Sequence, residues 1–207
     1  WEADEAKIVF NANGGKNPPS GITGKTDDTI SQDFPDTEPT REGYEFAGWT
    51  KNQNGTGGDV TAYPDKLPVG TTTYYAQWTA KSANIEFDAN GGDDDSVPTG
   101  ITGTTDATIT SRTLPTDEPT RDGYTFDGWY FDSDCTDDNK VTQYPAKFPA
   151  GTTTYYAKWD PDEAEIVFNA NDGDASSGPD GITGVTDGKI TETFPTDDPT
   201  REGYTFE

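Results

Sequence analysis

Histidine and methionine are absent from the 207 residues, and cysteine occurs once, at Cys135. Without histidine there is no Ser-His-Asp type of triad, no imidazole metal ligand and no imidazole switch near neutral pH. A lone cysteine allows no intrachain disulfide and no thiolate zinc centre. Positive charge is scarce: 14 Lys and Arg stand against 39 Asp and Glu, a net charge of −25 and a pI near 4.1. Such a chain repels phosphate backbones and anionic bilayers, which argues against nucleic acid and against membrane insertion. No hydrophobic run approaches the ~18 residues of a membrane span. Only 29% of residues are hydrophobic, yet 12% are aromatic. A disordered chain has few aromatics, so the expectation is small folded cores built mainly from Trp, Tyr and Phe. The opening Trp1-Glu-Ala-Asp is neither an initiator methionine nor a signal peptide, and reads as a stretch of something longer.

What the chain has in abundance is self-similarity. Ile8-Val-Phe-Asn-Ala-Asn-Gly-Gly15 returns with two changes at Ile85 and with one change at Ile166. Gly21-Ile-Thr-Gly24 returns at Gly100 and Gly181, and Pro39-Thr-Arg-Glu-Gly-Tyr-Glu-Phe46 returns at Pro119 and Pro199. Gly48-Trp49 returns at Gly128-Trp129, and Thr71-Thr-Thr-Tyr-Tyr-Ala-Gln-Trp78 at Thr152. The offset between the first two copies grows from 77 residues at Ile8 to 81 at Trp78. The motifs are therefore fixed while the gaps between them vary, as strands and loops do. The expected modules are 1–80, with 1–6 as the tail of a preceding unit, then 81–161, then an incomplete 162–207. Trp1 lies seven residues before Ile8, as Trp78 does before Ile85 and Trp159 before Ile166. An alternative frame, 47–126 and 127–207, is separated from the first by whether Phe87 packs on Trp129 or on Trp49.

Local patterns point to strands. Ile85-Glu-Phe-Asp-Ala alternates apolar and polar, and Asn90-Gly91 follows as a turn signal. Thr29-Ile-Ser-Gln-Asp-Phe34 reads as a second strand, and its counterpart from Thr108 to Leu114 carries an extra residue that a bulge would absorb. Tyr44-Glu-Phe-Ala-Gly-Trp49 reads as a third strand, with Gly48 allowing a bend. Thr72-Thr-Tyr-Tyr-Ala-Gln-Trp78 reads as a fourth, with Tyr74, Ala76 and Trp78 on one face. One short helical turn is expected near Tyr63 to Leu67, and no window carries a sustained helical period.

The ordered motifs resemble the Listeria–Bacteroides repeat, also called the internalin B B-repeat. That signature is similar to a strand ending Phe-Asp-x-Asn/Asp-Gly-Gly, then Pro-Thr-Arg/Lys-x-Gly-Tyr-x-Phe-x-Gly-Trp, then Leu/Tyr-Tyr-Ala-x-Trp/Phe. Pro119-Thr-Arg-Asp-Gly-Tyr-Thr-Phe-Asp-Gly-Trp129 is the middle element here. The segments 17–34, 93–114 and 174–194 are longer than the family's usual equivalents. The resemblance implies a β-rich α+β fold of tandem, small, β-grasp-like modules with little helix. It also implies an extracellular setting, at the cell surface or attached to the cell wall, as a stalk or adhesin repeat and not as an enzyme.

Several residues invite a functional reading. The recurrent aromatics Tyr44, Phe46, Trp49, Tyr74, Tyr75 and Trp78 could stack sugars, but with so few aliphatics they are needed for burial. Tyr75 and Tyr156 are the expected exposed ones. Arg41, Arg121 and Arg201 could clamp a carboxylate, but sit in turn-forming Pro-Thr-Arg-x-Gly segments rich in nearby acids. Three acidic loops offer oxygen ligands for calcium: Asp93, Asp94 and Asp95; Asp132, Asp134 and Asp137; Asp172 and Asp174. The spacing after Asp132 lacks the glycine and glutamate of an EF-hand, and solvated loops that keep a repetitive sheet protein soluble are the competing explanation. Cys135 sits among acids that raise a thiol pKa, and Asn54-Gly-Thr56 is a lone glycosylation pattern.

The expected role is a non-catalytic spacer. Its partners would be neighbouring repeats, with a host or cell-surface protein or glycan as an alternative ligand. Self-association through the third unit is a further alternative. No catalytic or cofactor-binding residue is expected, with calcium the single possible ion.

Overall fold

The computed structural model describes residues 1–207. It is β-rich, as expected, and its helix is confined to two three-residue 3-10 turns, Asp94–Ser96 and Asp137–Asn139. The chain divides into two compact units. The first comprises residues 1–85, 100–112 and 144–153, and the second 86–99, 113–143 and 154–207.

In the first unit the strands β1 (Glu5–Asn11), β2 (Ile22–Lys25), β3 (Tyr44–Thr50), β4 (Asp59–Val60) and β5 (Thr71–Ala80) form one sheet in the order β2-β1-β5-β3-β4. The central pair, β1 and β5, is parallel, with Lys7 opposite Thr71 and Asn11 opposite Tyr75. A parallel pair cannot be closed by a tight turn, so the intervening chain has to cross over, and it uses the excursion to lay down the other strands. All remaining pairs are antiparallel.

Alternation along β1 places Ala6, Ile8 and Phe10 inside and Glu5, Lys7 and Asn11 outside or at the margin. The inner face packs with Trp49, Val60, Leu67, Tyr74 and Ala76, flanked by Ile22, Ile30, Phe34, Phe46, Tyr63 and Trp78. Phe10 is the hub: its ring meets Trp49 at 4.7 Å, Phe34 at 5.6 Å, Tyr74 at 5.7 Å and Tyr63 at 6.1 Å, each edge-on. Edge-on rings of this kind each add about 0.5–1.5 kcal/mol beyond burial. The aromatics are the core material of this sheet.

Two local expectations are corrected. Residues 29–34 form no strand; only Thr29 makes an isolated bridge, to Lys66. The position beside β1 is taken by Ile22–Lys25, so the later segment instead brings Ile30 and Phe34 against the core. The same holds for 108–114, where Thr108 bridges Lys147. Residues 63–67 form no helical turn; they run extended enough for the Lys66 bridge and bring Tyr63 and Leu67 to the core.

Residues of the second repeat form an equivalent sheet. Its strands are β6 (Ser82–Asp88), β7 (Ile101–Thr104), β8 (Tyr124–Tyr130), β9 (Lys140–Val141) and β10 (Gly151–Pro161), in the order β7-β6-β10-β8-β9. Within the second unit Phe87 lies 4.6 Å from Trp129 and 5.8 Å from Tyr155, while Phe126 lies 5.1 Å from Trp129 and 5.7 Å from Trp159. The Gly-Trp motif has a structural cause in both sheets. Phe46 pairs with Trp78 but Gly48 with Gln77, leaving Ala47 as the extra residue of a bulge, and Phe126 and Gly128 repeat the shift against Trp159 and Lys158. Gly48 sits at φ +117° and Gly128 at φ +135°, where a side chain is strained.

The third repeat carries two paired strands, β11 (Glu163–Ile166) and β12 (Ile182–Val185). With no further strand against it, Ile166 is 42% exposed, whereas the equivalent Ile8 and Ile85 are 1% and 0% exposed. Val167, Phe194, Tyr204 and Phe206 are exposed as well.

Candidate functional site: the repeat junction

Within each repeat the motifs converge on one corner. Asn13, at φ +47°, turns the chain after β1 with its backbone N–H donated to Asn11 Oδ1 at 2.8 Å, and its side-chain Nδ2 donates to the carbonyl of Ala76 at 2.9 Å. Asn90 does the same toward Asp88 and Ala157. Beside this turn the closing tryptophan donates its indole N–H to a carbonyl, Trp78 to Ala12 at 2.9 Å and Trp159 to Ala89 at 2.8 Å. A Cβ on Gly15 would lie 2.4 Å from Trp78 and one on Gly92 2.5 Å from Trp159, so only glycine fits. The backbone N–H at positions 16, 93 and 174 then donates to the carbonyl of Thr40, Thr120 and Thr200 at 2.7–2.8 Å. That bond ties each Asn-x-Gly turn to its Pro-Thr-Arg segment.

The Pro-Thr-Arg-x-Gly-Tyr segment carries the next step. Arg41 stacks its guanidinium 3.7 Å from the Tyr44 ring, Arg121 lies 3.8 Å from Tyr124, and Arg201 4.1 Å from Tyr204. A cation held against an aromatic face is favourable and fixes both side chains. In the first unit, Tyr44 donates its hydroxyl to Asp106 Oδ2 at 2.6 Å, and Arg41 lies 3.7 Å from the same oxygen. In the second unit, Tyr124 donates to Asp187 Oδ2 at 2.7 Å. Each aspartate belongs to the repeat that follows the tyrosine. The hydrogen bond to the carboxylate raises the phenol pKa of Tyr44 and of Tyr124 above the usual tyrosine value.

Backbone contacts close the same joint. Lys81 N–H donates to the Gly43 carbonyl at 2.9 Å, and Thr105 N–H donates to the Lys81 carbonyl at 2.9 Å. Asp162, Gly123 and Thr186 reproduce this chain of bonds at 2.9 and 2.8 Å. Gly43 and Gly123 both sit at φ +75°, and a Cβ there would lie 2.6 Å from Thr105 and 2.8 Å from Thr186. Asp106 and Asp187 themselves adopt positive φ, 64° and 56°, a conformation that aspartate tolerates better than most residues. An open cleft of about 560 Å³ lies at the first joint, lined by Gly15, Lys16, Arg41, Tyr44, Asp106 and Pro149.

The acidic loops are placed differently. Asp93 accepts the backbone N–H of Asp95 at 3.0 Å and caps the turn that holds Asp94 and Asp95. Asp132 accepts from the Asn139 amide and from the Thr136 hydroxyl at 3.3 Å. Asp137 receives Lys158 at 2.9 Å, and Asp134 lies in the same loop without joining a cluster. Asp174 accepts from both the N–H and the hydroxyl of Ser176, which lowers its pKa, while Asp172 occupies the turn at φ +68°. The structure draws none of these acids into a group of three or more. Cys135 is partly buried, and burial pushes its thiol pKa up. Tyr75 and Tyr156, expected at the surface, are half-buried.

The junction aspartates escaped the sequence reading although a signal exists. Gly-x-Thr-Asp ends at Asp27, Asp106 and Asp187 in all three repeats, directly after the recurring Gly-Ile-Thr-Gly.

The Listeria–Bacteroides repeat domain matches residues 7–77, 84–158 and 165–207. The chain belongs to the Listeria–Bacteroides repeat family. Among curated proteins it is similar to Internalin H of Listeria monocytogenes, at 35% identity over 149 residues, covering 68% of this chain and 25% of that protein. It also resembles two proteins of Evansella cellulosilytica. One is named as a Gly-rich membrane protein (29% identical, 81% of this chain, 19% of the other), and the second as a membrane protein (27% identical, 100% of this chain, 28% of the other). The Listeria–Bacteroides repeat chain thus spans 19–28% of the length of these relatives. No solved structure gives a significant match. No helix of the chain is long and apolar enough to cross a membrane.

Proposed function

We propose that these Listeria–Bacteroides repeats form a non-catalytic spacer region of an extracellular cell-surface protein, in which one repeat is fastened to the next by the Tyr–Asp joint. The observation that carries this reading is that the same joint occurs twice: Tyr44 with Asp106, and Tyr124 with Asp187, each beside an Arg–Tyr stack and a glycine carbonyl. A spacer needs a joint that is the same each time, because then length is set by the number of units and each unit folds against only its neighbours. The acidic surface suits this role by keeping a sheet-rich array soluble. The names of the relatives, an internalin and two membrane proteins, support a position at the cell surface.

Small-angle scattering on chains extended by whole repeats tests the reading: each added repeat should lengthen the particle by a constant increment. A particle that grows compactly, with no constant increment, overturns it. A screen of glycans and proteins, run with and without a calcium chelator, covers the adhesive alternative. The spacer reading expects no saturable binding and no chelator-dependent melting, whereas saturable binding that chelation abolishes would replace it with a calcium-dependent adhesive module.

A further inference from the structure

Glycine follows asparagine at three places, Asn13-Gly14, Asn54-Gly55 and Asn90-Gly91. Because glycine has no Cβ, its backbone nitrogen can approach the carbonyl carbon of the preceding side chain closely. The fold treats the three pairs differently. Asn13 is half-buried; its Nδ2 donates to the carbonyls of Gln53 at 3.1 Å and Ala76 at 2.9 Å, and its Oδ1 accepts from Gln53 Nε2 at 3.2 Å. Asn90 is half-buried too, and its Nδ2 donates to the carbonyls of Ser133 at 3.0 Å and Ala157 at 2.9 Å. Loss of the side-chain amide at either position would cost both donor bonds.

Asn54 lies in the loop between β3 and β4, where residues 51–59 are all exposed. Its Oδ1 accepts the Thr56 N–H at 3.2 Å and the Thr56 hydroxyl at 2.7 Å. A bond to the N–H two residues on folds the carboxamide over the intervening Asn54–Gly55 peptide. Two donors also converge on the oxygen that becomes negative when the carbonyl carbon is attacked, the arrangement that stabilises such an oxyanion. The Asn54 Nδ2 has no hydrogen-bond partner in the chain. Asn11 and Asn169 fold back in the same way, accepting the N–H of Asn13 and of Asn171 at 2.8 Å. Alanine follows each of them, and its Cβ crowds the nitrogen. Asn54 alone combines the following glycine, the folded-back carboxamide and an unheld leaving group.

We infer that Asn54-Gly55 is a site of spontaneous modification, with water as the co-reactant and aspartate and isoaspartate as the products. The Gly55 N–H donates to the Asn52 carbonyl at 3.1 Å, and that bond has to open first. The Gly55 nitrogen then gives its proton to solvent and bonds to Asn54 Cγ. The Cγ–Nδ2 bond breaks, the departing nitrogen takes up a proton, and ammonia leaves a cyclic imide. Water opens the imide. Addition at Cγ gives aspartate, and addition at the main-chain carbonyl gives isoaspartate, in which the chain runs through Cβ. Nothing is oxidised or reduced. Either product adds a carboxylate to a chain already at −25. The corresponding loop of the second repeat, 131–139, contains no asparagine followed by glycine, so the mark falls on one repeat and not on its neighbour.

The full chain, incubated in water enriched in heavy oxygen, tests this by mass spectrometry of its peptides with fragmentation that separates aspartate from isoaspartate. Both products should accumulate at Asn54, each carrying heavy oxygen. Asn13 and Asn90, held by two bonds apiece, should react about 5- to 100-fold more slowly. In urea the three pairs should converge, because only the fold distinguishes them. Thr56→Val removes the hydroxyl donor and should slow Asn54 about 2- to 10-fold, whereas Thr56→Ser should keep the rate. Aspartate without isoaspartate at Asn54 means direct hydrolysis and overturns the proposal. Equal rates at the three pairs in the folded chain overturn it as well. So does an order of rates that persists in urea, or a Thr56→Val variant as fast as the parent. None of these outcomes touches the Tyr–Asp joints, so the spacer reading stands or falls separately.

Discussion

Gly43 and Gly70 form a matched pair for measuring what the joint contributes. Both have nearly the same backbone conformation, φ +75° and φ +74°. Alanine in the left-handed region costs about 1–2 kcal/mol at either site. They differ in what surrounds them. A Cβ at Gly70 would meet nothing within 4 Å, whereas one at Gly43 would lie 2.6 Å from both Thr105 Cγ2 and Oγ1 and 2.7 Å from the Ala150 Cβ. Thr105 is buried and its hydroxyl is turned to the Lys81 carbonyl, and the Ala150 Cβ moves only with its backbone, so neither neighbour yields freely. Overpacking of this kind adds about 1–3 kcal/mol. Gly70→Ala should therefore lose about 1–2 kcal/mol and Gly43→Ala about 2–5 kcal/mol. At roughly 2–4 °C per kcal/mol for a chain of this size, the two variants should melt several degrees apart by tryptophan fluorescence. Because Tyr44 follows Gly43, the Gly43 variant should also lose the elevated tyrosine titration that Asp106 imposes on Tyr44. Equal melting of the two variants, with the Tyr44 titration unchanged, would refute the close approach at the joint and the role given to it.

The same motif position is predicted to weigh differently in different repeats: Ile8→Ala should cost about 2–5 kcal/mol in urea unfolding, while Ile166→Ala at a 42% exposed site should stay within about 0.5 kcal/mol. Acid stability should carry the signature of Asp127, which accepts the Tyr130 hydroxyl at 2.6 Å and Lys140 at 3.1 Å, bonds that hold its pKa at about 2. A depressed carboxylate stabilises the fold above its unfolded pKa of about 4 and loses that contribution as pH falls toward 2, on the order of 2 kcal/mol; Asp127→Asn should flatten the unfolding free energy across that window, and an unchanged slope would remove the assignment. At high pH the sign reverses for Tyr44 and Tyr124. Their raised pKa values mean that the joints are intact below about pH 10 and weaken as pH climbs through the folded values, which a Tyr44→Phe, Tyr124→Phe double variant should abolish in an alkaline melting series.

The repeat, the strand character of its motifs, the aromatic composition of the cores and the family were all legible in the residues themselves. The physical reason is locality. A two-residue alternation such as Ala6, Ile8, Phe10 states which side chains share a face, an Asn-Gly pair states where the chain turns, and recurrence separates fixed motifs from variable loops. Tertiary structure alone decided which segment occupies the place beside β1. Ile22–Lys25 and residues 29–34 are both plausible strands by composition; only one can pair there, and the other covers the core with Ile30 and Phe34 instead. It also decided the acid that meets Tyr44. Many carboxylates lie nearer in sequence, but the backbone bonds from Lys81 to Gly43 and from Thr105 to Lys81 bring Asp106 of the following repeat within 2.6 Å. Burial is likewise a property of the assembled sheet: Ile8 and Ile166 stand in nearly identical sequence, yet one is enclosed because β5 lies against its strand and the other faces water because no third strand does.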